Sequence, residues 1–121
     1  MVRHLSGKNL LTNAFLKVVV DTAAMITLVN EKLICGEEHG DEGLVKLRGL
    51  GKQLVYGRIV KNVHIKIGNQ TITWDVCTAP LLDDVILGLA FLEAHKAVIS
   101  LGAETVKING ELIQAKLRMK A

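Results

Sequence analysis

The chain has 121 residues, half of them hydrophobic, and a formal net charge of +3. This length suits one domain with a real core and leaves little room for a second. The basic residues are scattered and not interleaved with aromatic ones, which argues against a nucleic-acid partner. Asn13 and Lys17 interrupt the N-terminal apolar residues, and no stretch reaches the length of a membrane span. We therefore expect an intracellular, cytoplasmic protein with no membrane partner.

Alternating apolar residues are the main pattern, and they predict strands along most of the chain. "VHIKI" (63–67) and "TITWDV" (71–76) each place apolar side chains on one face, with the turn "GNQ" between them. Asn109-Gly110 is a strong hairpin signal between "ETVKI" and "ELIQAKL". Further strands are predicted at 15–20, 25–29, 44–48, 54–60, 85–87 and 97–101.

A single segment is typical of a helix, "LAFLEAHK" at 89–96, which follows Gly88 and consists of good helix formers. A short turn is also expected at 30–34. Many short strands with one helix in the C-terminal third predict a mostly-β fold, either a small barrel or a sandwich.

Few residues outside the strands suggest chemistry. The loop "GEEHGDEG" (36–43) holds four acids and a histidine, but its spacing matches no ligand pattern, so we expect a solvated loop and no metal. Cys35 and Cys77 form no CxxC motif, which favours free thiols in a reducing compartment. "LRGLGKQLVYG" (47–57) reads either as an ordinary surface hairpin or as a lid over a bound ligand.

The stretch "VVVDTAAMITLV" (18–29) sets Asp21 between two apolar runs. Burying an ionised carboxylate without a partner is costly, so its position needs an explanation. Taken alone, the aspartate could simply cap a turn at the end of a strand.

Together with the later "VILGLAFLEAHKAVISL" (85–101) and the glycine-rich hairpin between them, this stretch resembles the retropepsin-like aspartic proteases. That family carries an apolar strand, Asp-Thr/Ser-Gly-Ala, a second apolar strand and, later, an apolar pair followed by Gly and a helix. The resemblance spans about residues 15–108. It implies a single domain over residues 1–121, with a core at about 15–117, folded as a small closed β-barrel.

The resemblance also implies a function. A chain with one aspartate motif would act as a symmetric homodimer, in which the two Asp21 carboxylates share a proton and activate a water without any cofactor. Thr22 would support the site by bonding across the dimer. An extended polypeptide substrate would lie against Ala23 and Ala24, beneath a flap whose tip is Gly49, Leu50, Gly51 and Lys52. Processing of a retroelement-type polyprotein is the expected setting.

One departure bears on activity, because Ala23 stands where the family usually has glycine and its methyl group could crowd the substrate. An alternative reading is therefore a dimer of the same fold with weak or no catalysis, acting in peptide binding or assembly. A third reading is an unrelated small β-barrel binding module, which would be monomeric and give Asp21 no role.

Overall fold

A computed structural model of the chain describes residues 10–12, 16–34, 44–47 and 55–118. Within these ranges the protein is mostly β, with one short α-helix and one 3-10 helix, Glu31–Leu33. The helix is α1, Leu89–Ala94. The strands are β1 Leu10–Thr12, β2 Val18–Asp21, β3 Leu28–Asn30, β4 Leu44–Leu47, β5 Val55–Ile67, β6 Gln70–Ala79, β7 Val85–Leu87, β8 Val98–Ser100, β9 Thr105–Ile108, β10 Glu111–Gln114 and β11 Lys116–Arg118.

Eight strands form the main sheet, in the order β1-β5-β6-β3-β7-β2-β11, with β4 paired to β5. β2 lies inside this sheet, parallel to β7 on one side and to β11 on the other. The three remaining strands form an antiparallel sheet in the order β10-β9-β8. The predicted mostly-β fold with one helix is thus confirmed. No pairing of described residues joins β1 to β11, and closure of the barrel stays a prediction.

The valine run of β2 is explained by burial on both faces of the sheet. Val18 and Val20 belong to the main hydrophobic core, whereas Val19 belongs to a smaller cluster with Leu28, Cys77 and Ile86. Successive side chains of a strand point to opposite faces, so both faces of β2 are covered and every position is apolar. Each buried valine contributes about 1.5–3 kcal/mol relative to an exposed one.

The longest hairpin joins β5 and β6. The sequence predicts two separate strands at 54–60 and 63–67, but the structure has one continuous β5. Its pairing with β6 shifts register between Val60 and Val63. Asn62 has φ 58° there, and its backbone N–H donates to Asp75 Oδ1 at 2.8 Å. The register shift is therefore a β-bulge, and regular pairing with β6 continues after it.

The C-terminal hairpin follows its turn signal, since Asn109 (φ 50°) and Gly110 (φ 90°) both adopt the left-handed conformation. The predicted strand "ELIQAKL" is divided, however. β10 ends at Gln114, the buried Ala115 donates its N–H to the Glu104 carbonyl, and β11 then joins the main sheet beside β2. This switch brings the end of the described chain next to Asp21.

Helix α1 closes the core from one side. Phe91 and Leu92 are buried, and the Phe91 ring lies 5.2 Å from Trp74 and 4.5 Å from His95. The helix ends before the predicted residue 96, because Lys96 has φ 49°. Among the described residues no helix is long and apolar enough to span a membrane.

Candidate active site

Asp21 is the last residue of β2, at the point where the buried strand reaches the surface. Its side chain retains 16% of its solvent exposure. The Ala23 N–H donates to Asp21 Oδ1 at 2.9 Å, and the Ala24 N–H donates to the Asp21 carbonyl at 3.2 Å. A tight turn therefore holds the carboxylate in a fixed direction, and the apolar strand behind it carries no unpaired charge.

The second oxygen of Asp21 faces a cation from the other end of the chain. Arg118 Nη1 lies 3.9 Å from Asp21 Oδ2, and Arg118 Nη2 lies 3.0 Å from Asp83 Oδ2. The parallel register places Arg118 directly opposite Asp21 on the neighbouring strand. Since Asp83 precedes β7 on the far side of β2, the arginine side chain reaches across β2 to bridge two acids.

Sequence reasoning did not identify Arg118 or Asp83 as members of the site. No local pattern marks them, because an ion pair between strands far apart in the chain depends on strand order. Half of the Arg118 side chain, 49%, remains exposed, so the bridge contributes little to stability, about 0–1 kcal/mol. The bridge matters mainly because it holds the positive charge of Arg118 beside Asp21.

The two stretches that carried the family resemblance meet behind this turn. Gly88 donates its N–H to the buried Thr27 hydroxyl at 3.1 Å. The Leu89 N–H donates to the Ala24 carbonyl at 2.7 Å, and the Ala90 N–H donates to the Met25 carbonyl at 3.1 Å. Three hydrogen bonds thus join the segment after Asp21 to the start of α1.

The position of Gly88 has no room for a side chain. A β-carbon added there would lie 2.5 Å from the Ile26 carbonyl carbon and nearer still to the carbonyl oxygen. No side chain fits between the two backbones. The glycine that belongs to the family resemblance therefore has a physical reason in this chain.

The other predicted site residues fall into two groups. Thr22 and Ala24 are half-buried and Ala23 is exposed, all within the turn after Asp21. Among the described residues no hydrogen bond to the Thr22 hydroxyl is found. Gly49, Leu50, Gly51 and Lys52, the predicted flap tip, lie outside the described residues.

The base of that hairpin is described. β4 pairs with the first part of β5 in antiparallel register, Leu47 opposite Val55. Gly57 in β5 is buried against β6, where an added β-carbon would lie 2.5 Å from Cys77 Sγ. The hairpin therefore leaves the main sheet from a closely packed base.

No group of three or more His, Cys, Asp or Glu side chains in the described part of the chain could hold a metal ion. The acidic loop at 36–43 lies outside the described residues.

Comparison with known proteins identifies the fold. Neither the known protein families nor the curated proteins contain a match to this chain. Among solved structures, it is similar to the retroviral protease-like domain of Ddi1 from Leishmania major, with a TM-score of 0.57 and 18% sequence identity. The match covers 82% of this chain and 82% of the other. The chain thus has a retropepsin-like fold.

Proposed function

We propose that this chain is a single-lobed aspartic endopeptidase, active as a homodimer that contributes one Asp21 from each copy. The observation that carries the proposal is the position of Asp21 in a retropepsin-like fold. Its carboxylate emerges at the end of a buried strand, is held by the Ala23 N–H, and keeps part of its surface open. One chain supplies a single such aspartate, so a two-carboxylate site needs a second copy.

The chemistry would require no cofactor. Two carboxylates a few ångströms apart do not both ionise readily, so the pair retains one proton. The ionised member takes a proton from a bound water, which attacks the carbonyl carbon of the scissile peptide bond. The protonated member donates to the developing oxyanion. The carboxyl that took the proton from the water then donates it to the nitrogen of the leaving amine as the C–N bond breaks.

The neighbouring residues have supporting roles in this proposal. Thr22 would donate its hydroxyl across the dimer axis beneath the pair. Ala23 and Ala24 would lie along an extended substrate, whose backbone pairs as an added strand. The hairpin rising from β4 and β5 would cover the substrate through its tip at 49–52. Processing of a retroelement-type polyprotein is the setting we propose, in the cytoplasm.

A second function remains a candidate because of a specific contact. Arg118 Nη1 lies 3.9 Å from Asp21 Oδ2 within the single chain and so places a cation beside the carboxylate that catalysis would use. Together with Ala23 in place of glycine, this favours a dimer of the same fold that acts in peptide binding or assembly with weak or no catalysis.

The test compares the parent chain with Asp21→Asn, which preserves the size and the oxygen acceptor for the Ala23 N–H. We expect the parent to cleave an unfolded polypeptide at mildly acidic pH, with inhibition by a statine-type transition-state mimic. The Asn variant should lose cleavage while sedimenting as the same dimer. Glu93→Gln, at an exposed acid on α1, serves as the matched control.

Three results would separate the alternatives. Equal cleavage by the Asn variant would contradict the mechanism, and a strict monomer at high concentration would contradict the shared site. A dimer that binds peptides but does not cleave them would favour the second function.

A further inference from the structure

A pocket is formed in part by the segment that follows Asp21. It is a pocket of about 370 Å³, lined by Ile26, Thr27, Thr73, Trp74, Asp75 and Ala90. Its walls come from three elements: the segment after Asp21, strand β6 and helix α1. A volume of this size is at the small end of the range for ligand pockets and is sufficient for one long side chain.

The lining residues are one tryptophan, two aliphatic residues, two threonines and one acid. Trp74 is half-buried and held edge-on to Phe91 at 5.2 Å between ring centroids. Asp75 is exposed, and its Oδ1 accepts from the Asn62 N–H at 2.8 Å. Among the described residues no Lys, Arg or His nitrogen pairs with the Asp75 carboxylate. The two ion pairs found in this part of the chain join Arg118 to Asp21 and to Asp83. The Asp75 carboxylate therefore has no cationic partner among the described residues, and the His95 ring lies 5.2 Å from that of Trp74.

The pocket is also physically tied to the candidate active site. Ile26 follows Asp21 by five positions, so their Cα atoms lie no more than about 18 Å apart. The opposite wall is fixed to the same segment, because the Ala90 N–H donates to the Met25 carbonyl at 3.1 Å. A peptide of five or six extended residues spans this distance.

We propose that this pocket binds a lysine or arginine side chain of an extended polypeptide substrate, several residues from the scissile bond. This inference rests on the proposed function for its ligand. The cationic head would lie against the indole ring of Trp74 and near Asp75. The methylene stem would pack on Ile26 and Ala90, as long basic side chains do on apolar surfaces.

Binding can be measured without catalysis, because Trp74 is the single tryptophan of the chain and reports on the pocket by fluorescence. Extended peptides of about ten residues, identical except for one Lys, Arg, Leu or Glu, are titrated into the full-length Asp21→Asn chain. We expect the Lys and Arg peptides to bind about three- to tenfold more tightly than the Leu peptide, and the Glu peptide to bind most weakly.

The charge is tested with Asp75→Asn, added to the Asp21→Asn chain. Asparagine keeps a side-chain oxygen for the Asn62 N–H, so the bulge is preserved while the negative charge is lost. We expect the preference for Lys over Leu to fall about threefold or more, whereas Glu93→Gln should leave it unchanged. Equal affinity for the Lys, Leu and Glu peptides, or a preference unaffected by Asp75→Asn, would overturn the proposal.

The outcome is separable from that of the proposed function. Scanning one lysine along a cleaved substrate should lower KM at one position in the parent chain and not in Asp75→Asn. Suppose that no peptide is cleaved but that Lys peptides still change the Trp74 fluorescence, and that Asp75→Asn removes this change. Binding in the pocket is then supported, and the endopeptidase activity is not. If peptides are cleaved with no such preference, the protease is upheld and the pocket assignment is wrong.

Discussion

The Thr27 hydroxyl accepts a hydrogen bond from the Gly88 N–H at 3.1 Å, and Thr27 is 1% exposed. This bond joins the segment after Asp21 to the segment before α1, so it links the two parts of the chain on which the candidate site depends. Because both groups are removed from water, the loss of either partner leaves a buried polar group unsatisfied.

Replacement of Thr27 tests this link. Thr27→Val keeps the shape but removes the acceptor, and we expect it to lower the free energy of unfolding by about 1–3 kcal/mol. Thr27→Ser keeps the hydroxyl and loses a methyl group, at a cost of about 0.8 kcal/mol. Urea denaturation of both variants measures the difference. A valine variant as stable as the parent chain would show that the bond contributes nothing measurable.

Gly88 offers a steric test at the same junction. We expect Gly88→Ala to destabilise the fold by about 1–3 kcal/mol and to reduce any cleavage, because the new methyl group collides with the Ile26 backbone. Gly102→Ala is the matched control, since an added β-carbon there meets nothing within 4 Å. Its effect should stay within about 0.5 kcal/mol. Similar thermal denaturation midpoints for the two variants would contradict the packing argument.

The ion pair between Arg118 and Asp83 is tested by a double-mutant cycle. We expect Arg118→Gln and Asp83→Asn to show a coupling of about 0.2–1 kcal/mol in unfolding free energy, since half of the arginine side chain is exposed. The coupling should fall in about 1 M salt, where the Debye length shrinks to about 3 Å. Strictly additive effects at low salt would mean that the bridge is not formed in solution.

Because of Cys77, the free energy of unfolding is expected to depend on pH in the alkaline range. Burial raises the pKa of the Cys77 thiol above its ordinary value of 9.0. The folded state therefore favours the neutral thiol, and its contribution to stability is fully present below pH 9.0. It is lost as the pH rises through the higher pKa of the folded state, because the unfolded chain releases its proton first.

Thermal denaturation between neutral and alkaline pH measures this dependence. We expect the parent chain to lose more stability above pH 9.0 than Cys77→Ala, which has no thiol to ionise at this position. The alanine variant is less stable throughout because of the cavity it leaves, so the slope with pH is the quantity to compare. Parallel slopes would show that the pKa of the Cys77 thiol does not differ between the folded and unfolded states.

Much of the fold follows from local pattern. The apolar period of two predicted the strands, and the predicted bounds of β7 match the structure at both ends. The Asn109-Gly110 turn required only the left-handed conformation that these residues tolerate. The sequence did not reveal that "ELIQAKL" changes sheets at Ala115, because an unbroken alternation does not show which neighbour each half will pair with.

By itself, the sequence determined that Asp21 lies at the end of an apolar core strand and that a glycine precedes a short helix. Both follow from side-chain size and periodicity within a few residues. The tertiary structure alone decided that Arg118 lies beside this carboxylate and pairs with Asp83, and that Trp74 and Asp75 form a pocket with Ile26. These groups lie far apart in the chain, and strand order and register bring them together. No local propensity specifies that order, since it results from the packing of the whole core.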